Sequence, residues 1–193
     1  MTRKVVQFLL SAVVVLALAG CDRRVEGPLH FVGDSLVAGW DVADCFPSHL
    51  VYNHGISGSR IDYVESLAGK FEGCEVVVMI GTNDSFLFTD SREREEYIGR
   101  YLDAILGLGA ERIWLYSLLP RQRPDDRKDI NEDIMAFNSA VKERAMDIPS
   151  ISYIDVYERF LLHGKLNPQL YADNLHLSRI GYEVLSVALK RSL

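Results

Sequence analysis

The chain has 193 residues, enough for one domain with a substantial core. Acidic residues outnumber basic ones by 27 to 21, giving a formal charge of -6 with no basic cluster, which argues against nucleic acid as a partner. Internal repeats, low-complexity segments and a dividing linker are absent, so repeat and multi-domain organisations are set aside.

Arg3 and Lys4 precede an apolar stretch from Val5 to Ala19 that runs into Leu18-Ala19-Gly20-Cys21. This order of parts predicts an export signal over residues 1–20, and the stretch is shorter than the ~20 residues of a membrane-spanning helix. Leu-Ala-Gly-Cys resembles the lipobox of bacterial lipoproteins, which implies a lipidated Cys21 at the mature N-terminus, tethered by residues 21–28. The alternative is an ordinary signal peptide with a chance cysteine. Several acyl chains suffice for stable anchoring at ~0.8 kcal/mol per buried methylene. Asp22 resembles the inner-membrane retention signal of some Gram-negative lipoproteins, so an exported protein on the periplasmic side of a membrane is expected. Loss of Arg3 and Lys4 with the signal takes the charge from -6 to -8.

Residues 29–193 then alternate short apolar runs with helical patterns. The runs Leu29 to Val32, Leu50 to Tyr52, Glu75 to Ile80, Arg112 to Tyr116 and Ile151 to Val156 predict strands buried on both faces of a parallel sheet. Asp90 with Glu93 forms a capping-box pattern ahead of a stripe of Tyr97, Ile98, Tyr101, Leu102, Ile105 and Leu106. Ile130, Ile134, Phe137 and Val141 make a second stripe, and Ser178 caps a last helix carrying Tyr182, Leu185 and Leu189. Alternation of this kind predicts a three-layer α/β fold with right-handed crossovers and helices on both faces of the sheet. An oxidising compartment would let Cys45 and Cys74 pair; buried free thiols are the alternative.

In parallel sheets ligands bind beyond the carboxyl ends of the strands, so the following loops carry the chemistry. Gly33-Asp34-Ser35 follows the first strand, Asn53-His54-Gly55-Ile56-Ser57-Gly58 the second, and Gly81-Thr82-Asn83-Asp84 the third. Asp173-Asn174-Leu175-His176 precedes the last helix. A serine hydroxyl needs a base within hydrogen-bond reach, and His176 has a carboxylate three residues before it to hold its ring. His30 and His49 fall in or beside strands, His163 lacks a carboxylate neighbour, and His54 reads as a loop-shaping residue. Gly58 and Asn83 supply donors of the kind an oxyanion needs, with the Ser35 N–H as a third.

These four blocks, in order over residues 33–176, resemble the SGNH (GDSL-type) hydrolase superfamily. The resemblance implies a flavodoxin-like sheet of five strands in order 2-1-3-4-5 and metal-free ester hydrolysis through an acyl-enzyme, without a cofactor. It implies Ser35 as nucleophile, His176 as base and then acid, Asp173 as its orienter, and Ser35, Gly58 and Asn83 as the oxyanion hole. A small acyl group on an envelope carbohydrate is the expected substrate, since no apolar insertion suggests a lid; lysophospholipids and thioesters are the alternative. Two other classes compete. One is a metal-dependent phosphoesterase built on Asp34, Asp84, Asp173 and His176, and the other a non-catalytic lipoprotein that binds envelope glycan. Phe86-Leu87-Phe88 either lines an acyl pocket or packs in the core, and Arg121 to Asp133 reads as a solvated loop in which Arg121 or Arg123 could meet an anion.

Overall fold

Five parallel strands run in the order β2-β1-β3-β4-β5 in the computed structural model, which describes residues 27–193. The expected signal sequence, Cys21, Asp22 and most of the tether lie outside the described residues. The strands are β1 (Leu29–Gly33), β2 (Val51–Gly55), β3 (Glu75–Met79), β4 (Arg112–Tyr116) and β5 (Ile151–Ile154). Their side chains alternate between two cores, as the twofold period of a strand requires. Val32, Val76, Val78, Ile113 and Leu115 face one side. There they meet α3 (Ile61–Glu65), α4 (Ser91–Gly107) and α5 (Ile130–Ala145). Phe31, Val77, Met79, Trp114 and Tyr116 face the other side, covered by α1 (Ser35–Ala38), α2 (Val42–Cys45) and α6 (Arg179–Lys190).

The helix ends follow the predicted chemistry. Asp90 accepts from the Arg92 and Glu93 N–H groups to start α4, and Ser178 accepts from Gly181 N–H to start α6. The α4 stripe is buried except at Leu106, which is exposed. A two-stranded hairpin, β6 (Leu161–Leu162) and β7 (Lys165–Leu166), turns through His163 and Gly164, both at positive φ.

Two expectations are corrected. Cys45 and Cys74 are free thiols that pack against opposite faces of the sheet, so the sheet itself separates them and no bridge forms. Asn53 and His54 belong to strand β2 rather than to a loop. As an edge strand, β2 is covered incompletely, so polar residues occupy a position where a central strand would be apolar. His54 Nε2 lies 2.9 Å from His30 Nδ1 across the β1–β2 pair, and burial lowers the pKa of both rings. Asn53 donates to the carbonyls of Val37 and Trp40, tying α1 to the sheet edge.

Candidate active site

Parallel register brings three loops together. Gly33 pairs with Gly55 on one side and with Met79 on the other, so the chains leaving β1, β2 and β3 start side by side. Gly33 has no room for a side chain, because a Cβ there would sit 2.1 Å from the Met79 carbonyl oxygen. Two residues later Ser35 opens α1, whose N-cap is Asp34; its Oδ1 accepts from Leu36 N–H at 2.9 Å.

His176 reaches Ser35 from the far end of the chain. Asp173 Oδ1 accepts from both Leu175 N–H and His176 N–H at 2.7 Å, closing a tight turn. Asp173 Oδ2 then lies 2.8 Å from His176 Nδ1, and His176 Nε2 lies 3.2 Å from Ser35 Oγ. The hydrogen bond from the His176 ring, followed by the backbone N–H of His176, pulls the Asp173 carboxyl down to about 2. An ionised Asp173 accepts the Nδ1 proton, leaving Nε2 as the acceptor that faces the serine hydroxyl. The turn is braced from outside: Asn174 C=O accepts from Gln122 N–H, Tyr171 donates to Pro120 C=O at 2.6 Å, and Ser178 donates to Gln169 C=O.

Gly58 has a φ of 78°, a left-handed turn that its lack of Cβ permits. Asn83 Nδ2 donates to Ser59 C=O at 2.8 Å, which locks the loop after β2 onto the loop after β3 and leaves a second amide hydrogen uncommitted. The backbone N–H groups of Ser35 and Gly58 carry no hydrogen bond among the described residues. Gly58 and Asn83 line a cavity of about 340 Å³. Asp173 and His176 line a second of about 320 Å³, and Arg123 borders both. A larger cavity of about 610 Å³ between α2 and α6 holds none of these groups.

Neither of the remaining acids joins the chain of hydrogen bonds. Asp34 is 1 % exposed, its Oδ2 has no partner among the described residues, and burial pushes its carboxyl up to about 7. Asp84 is buried beside Tyr97 and accepts from Ile61 N–H, and burial raises it as well. Asp34 and Asp84 therefore stand apart from the linked pair Asp173 and His176. Among the described residues, no three metal-ligating side chains gather where they could hold a cation.

The apolar trio splits. Phe88 is core and stacks on Phe137 at 4.4 Å, Leu87 packs beside it, and Phe86 is exposed at the cavity rim. Arg121 is the residue the sequence concealed. It is 7 % exposed rather than solvated, donates to Thr82 C=O and Ser85 Oγ, and forms a two-pronged pair with Asp126. The available signal was Asp126 itself, across a turn made by Pro124 and Asp125.

Residues 31–184 match the GDSL-like Lipase/Acylhydrolase family, well over half of the chain. Among curated proteins no relative matches. Among solved structures, a Streptococcus pneumonia protein with the provisional description platelet activating factor is 27% identical, with a TM-score of 0.69 over 89% of this chain and 86% of that one. A GDSL-like lipase from Bacteroides thetaiotaomicron is 22% identical, with a TM-score of 0.69 over 86% of each chain. A catalytic mutant of an acetylxylan esterase from Geobacillus stearothermophilus is 20% identical, with a TM-score of 0.67 over 86% of this chain and 93% of that one. The family match spans all four sequence blocks and the solved relatives share the sheet that carries them: the chain belongs to the GDSL-like lipase/acylhydrolase family and is a carboxylic ester hydrolase.

Proposed function

We propose that the protein is a serine esterase that removes a small acyl group, acetyl, from a carbohydrate of the cell envelope. The continuous line from Asp173 through His176 to Ser35, 2.8 Å and 3.2 Å long, carries this reading. Ser35 Oγ attacks the ester carbonyl carbon while its proton passes to His176 Nε2. Charge developing on the carbonyl oxygen is met by the N–H groups of Ser35 and Gly58 and by the free hydrogen of Asn83, each donor worth ~3 kcal/mol of barrier. Collapse breaks the bond to the alcohol, which leaves with the proton held by His176. Water then attacks the acyl-Ser35 ester, gives a proton to His176, and releases the acid as Ser35 recovers its own.

The acyl length follows from the cavity lining. The cavity of about 340 Å³ that meets the oxyanion donors is walled by Thr82, Asn83, Ser85 and several arginines, so it offers a long acyl chain no apolar channel; Phe88 and Leu87, which could have lined one, are spent on the core. The acetylxylan esterase of like fold acts, as its name states, on an acetylated polysaccharide. Location outside the cytoplasm rests on residues 1–21, whose order of charged, apolar and lipobox-like parts supports an anchored lipoprotein.

Wild type should turn over p-nitrophenyl acetate, with Ser35→Ala slower by about 10³-fold or more. Equal rates would refute the catalytic assignment. A series from acetyl to palmitoyl esters should fall with length, and a preference beyond about eight carbons would overturn the small-acyl reading. Cys21→Ser should move the protein from the membrane to the soluble fraction of the host bacterium; unchanged membrane association would contradict the anchor.

A further inference from the structure

The cavity beside Gly58 and Asn83 carries a charge opposite to that of the chain. Its charged lining is Arg60, Arg121, Arg123 and Arg127 against Asp125 and Asp126, a local excess of two positive charges (4 − 2) in a protein of net charge -6. Three of the four arginines already have carboxylate partners. Arg121 is bound by Asp126 at the cavity floor, Arg123 lies 3.0 Å from Asp125, and Arg127 pairs with Asp133. Arg60 makes no salt bridge among the described residues, although its charge is felt by the buried Asp84 carboxyl.

Arg60 is nonetheless held in place. Its guanidinium carbon lies 4.9 Å from the centre of the Phe86 ring, and Phe86 is 53 % exposed at the same rim. A guanidinium over a ring face keeps its in-plane N–H groups free to donate outward, and no ion pair takes them up here. The backbone just before it is fixed as well, because Ser59 C=O is the acceptor of Asn83 Nδ2. The arginine therefore springs from backbone that is fixed relative to the donors that would meet the ester oxyanion.

We propose that Arg60, backed by this cavity, binds an anionic group, a carboxylate or a phosphate, on the alcohol portion of the substrate. The proposal rests on the small-acyl esterase reading above: an acetyl group has no charge, so the anion belongs to the alcohol. Planar two-pronged donation suits either oxyanion, and the N–H edges of Arg60 are the ones left to give it.

Two matched pairs of substrates separate the sources. Acetylated oligogalacturonate is compared with its carboxyl methyl ester, and 1-acetylglycerol 3-phosphate with 1-acetylglycerol, with p-nitrophenyl acetate as the neutral reference. Wild type should favour the charged member of at least one pair by about fivefold in kcat/KM at low salt, as an exposed charged contact allows. The preference should shrink as ionic strength rises. Arg60→Gln should bring the ratio to about 1, and Arg60→Lys should retain part of it. A preference in the carboxylate pair alone identifies an acidic sugar, and in the phosphate pair alone a phosphorylated alcohol. Turnover of neutral esters with a wild-type ratio near 1, or a ratio that Arg60→Gln leaves intact, overturns the proposal and spares the esterase reading. Failure to turn over any of these esters, the reference included, overturns the esterase reading and the proposal with it.

Discussion

Asp34 sits one residue from Ser35 with a carboxyl that burial holds at about 7, against an ordinary value of 3.8. Between those two values the folded protein holds a proton there that the unfolded chain has released. Stability conferred by this group is therefore complete below pH 3.8, declines as pH rises, and is lost once pH passes about 7. Over that window the loss amounts to about 4 kcal/mol, at ~1.4 kcal/mol for each pH unit. Asp34→Asn cannot ionise, yet its side-chain oxygen can still accept from Leu36 N–H as Asp34 Oδ1 does. Near pH 4 both side chains are neutral in the fold, and at the position of Oδ2 the acid leaves one O–H unpartnered where the amide leaves two N–H groups, so the variant should start somewhat the less stable. Between pH 4 and pH 8 the difference should move in favour of the variant by about 4 kcal/mol. Urea unfolding followed by the fluorescence of Trp40 and Trp114, both buried, measures the difference across pH 4 to 8. A difference that stays flat, or one in which wild type gains on the variant as pH rises, would refute burial as the dominant force on Asp34. The second outcome would mean that Arg121 and His176 hold the carboxylate ionised.

Asn83→Ala should lower kcat about 10²-fold or more with a smaller change in KM, because it removes the proposed oxyanion donor and also the link to Ser59 C=O. Steady-state kinetics on an acetyl ester check this, and a change confined to KM would contradict it. Gly33→Ala should destabilise the fold by about 3 kcal/mol or more, since the Cβ would collide with the backbone of β3 and with Val37. A melting temperature within a few degrees of wild type would show that β1 and β3 can part at little cost. Arg121→Met should cost about 3 kcal/mol in chemical denaturation, because it strands Asp126 and frees the Thr82 carbonyl in a buried place. An unchanged midpoint would place Asp126 in contact with water instead.

The central sheet was legible because strands buried on both faces leave continuous apolar runs, and β4 was bounded to the residue by Arg112 and Tyr116. The edge strand β2 was half hidden, since Asn53 and His54 look like loop residues where the sheet has a neighbour on one side only. The line from Ser35 to His176 was legible because its parts fall on loops that parallel topology must gather, and Asp173 is close enough in sequence to grip the ring. What composition could not give was which face of the sheet a cysteine occupies. Cys45 and Cys74 both precede strands, and only the cores they pack against separate them. Nor did the dense charge from Arg121 to Asp133 reveal that Arg121 is turned inward. Burial of an arginine depends on partners such as Thr82 C=O, which come from a distant part of the chain.

A fluorophosphonate that mimics the tetrahedral intermediate tests the central claim most directly, with mass spectrometry locating the adduct. The account predicts stoichiometric labelling of the peptide that contains Ser35, loss of ester hydrolysis in step with labelling, and no adduct in Ser35→Ala. Full inhibition with the label on another residue, or undiminished hydrolysis by fully labelled protein, would contradict it.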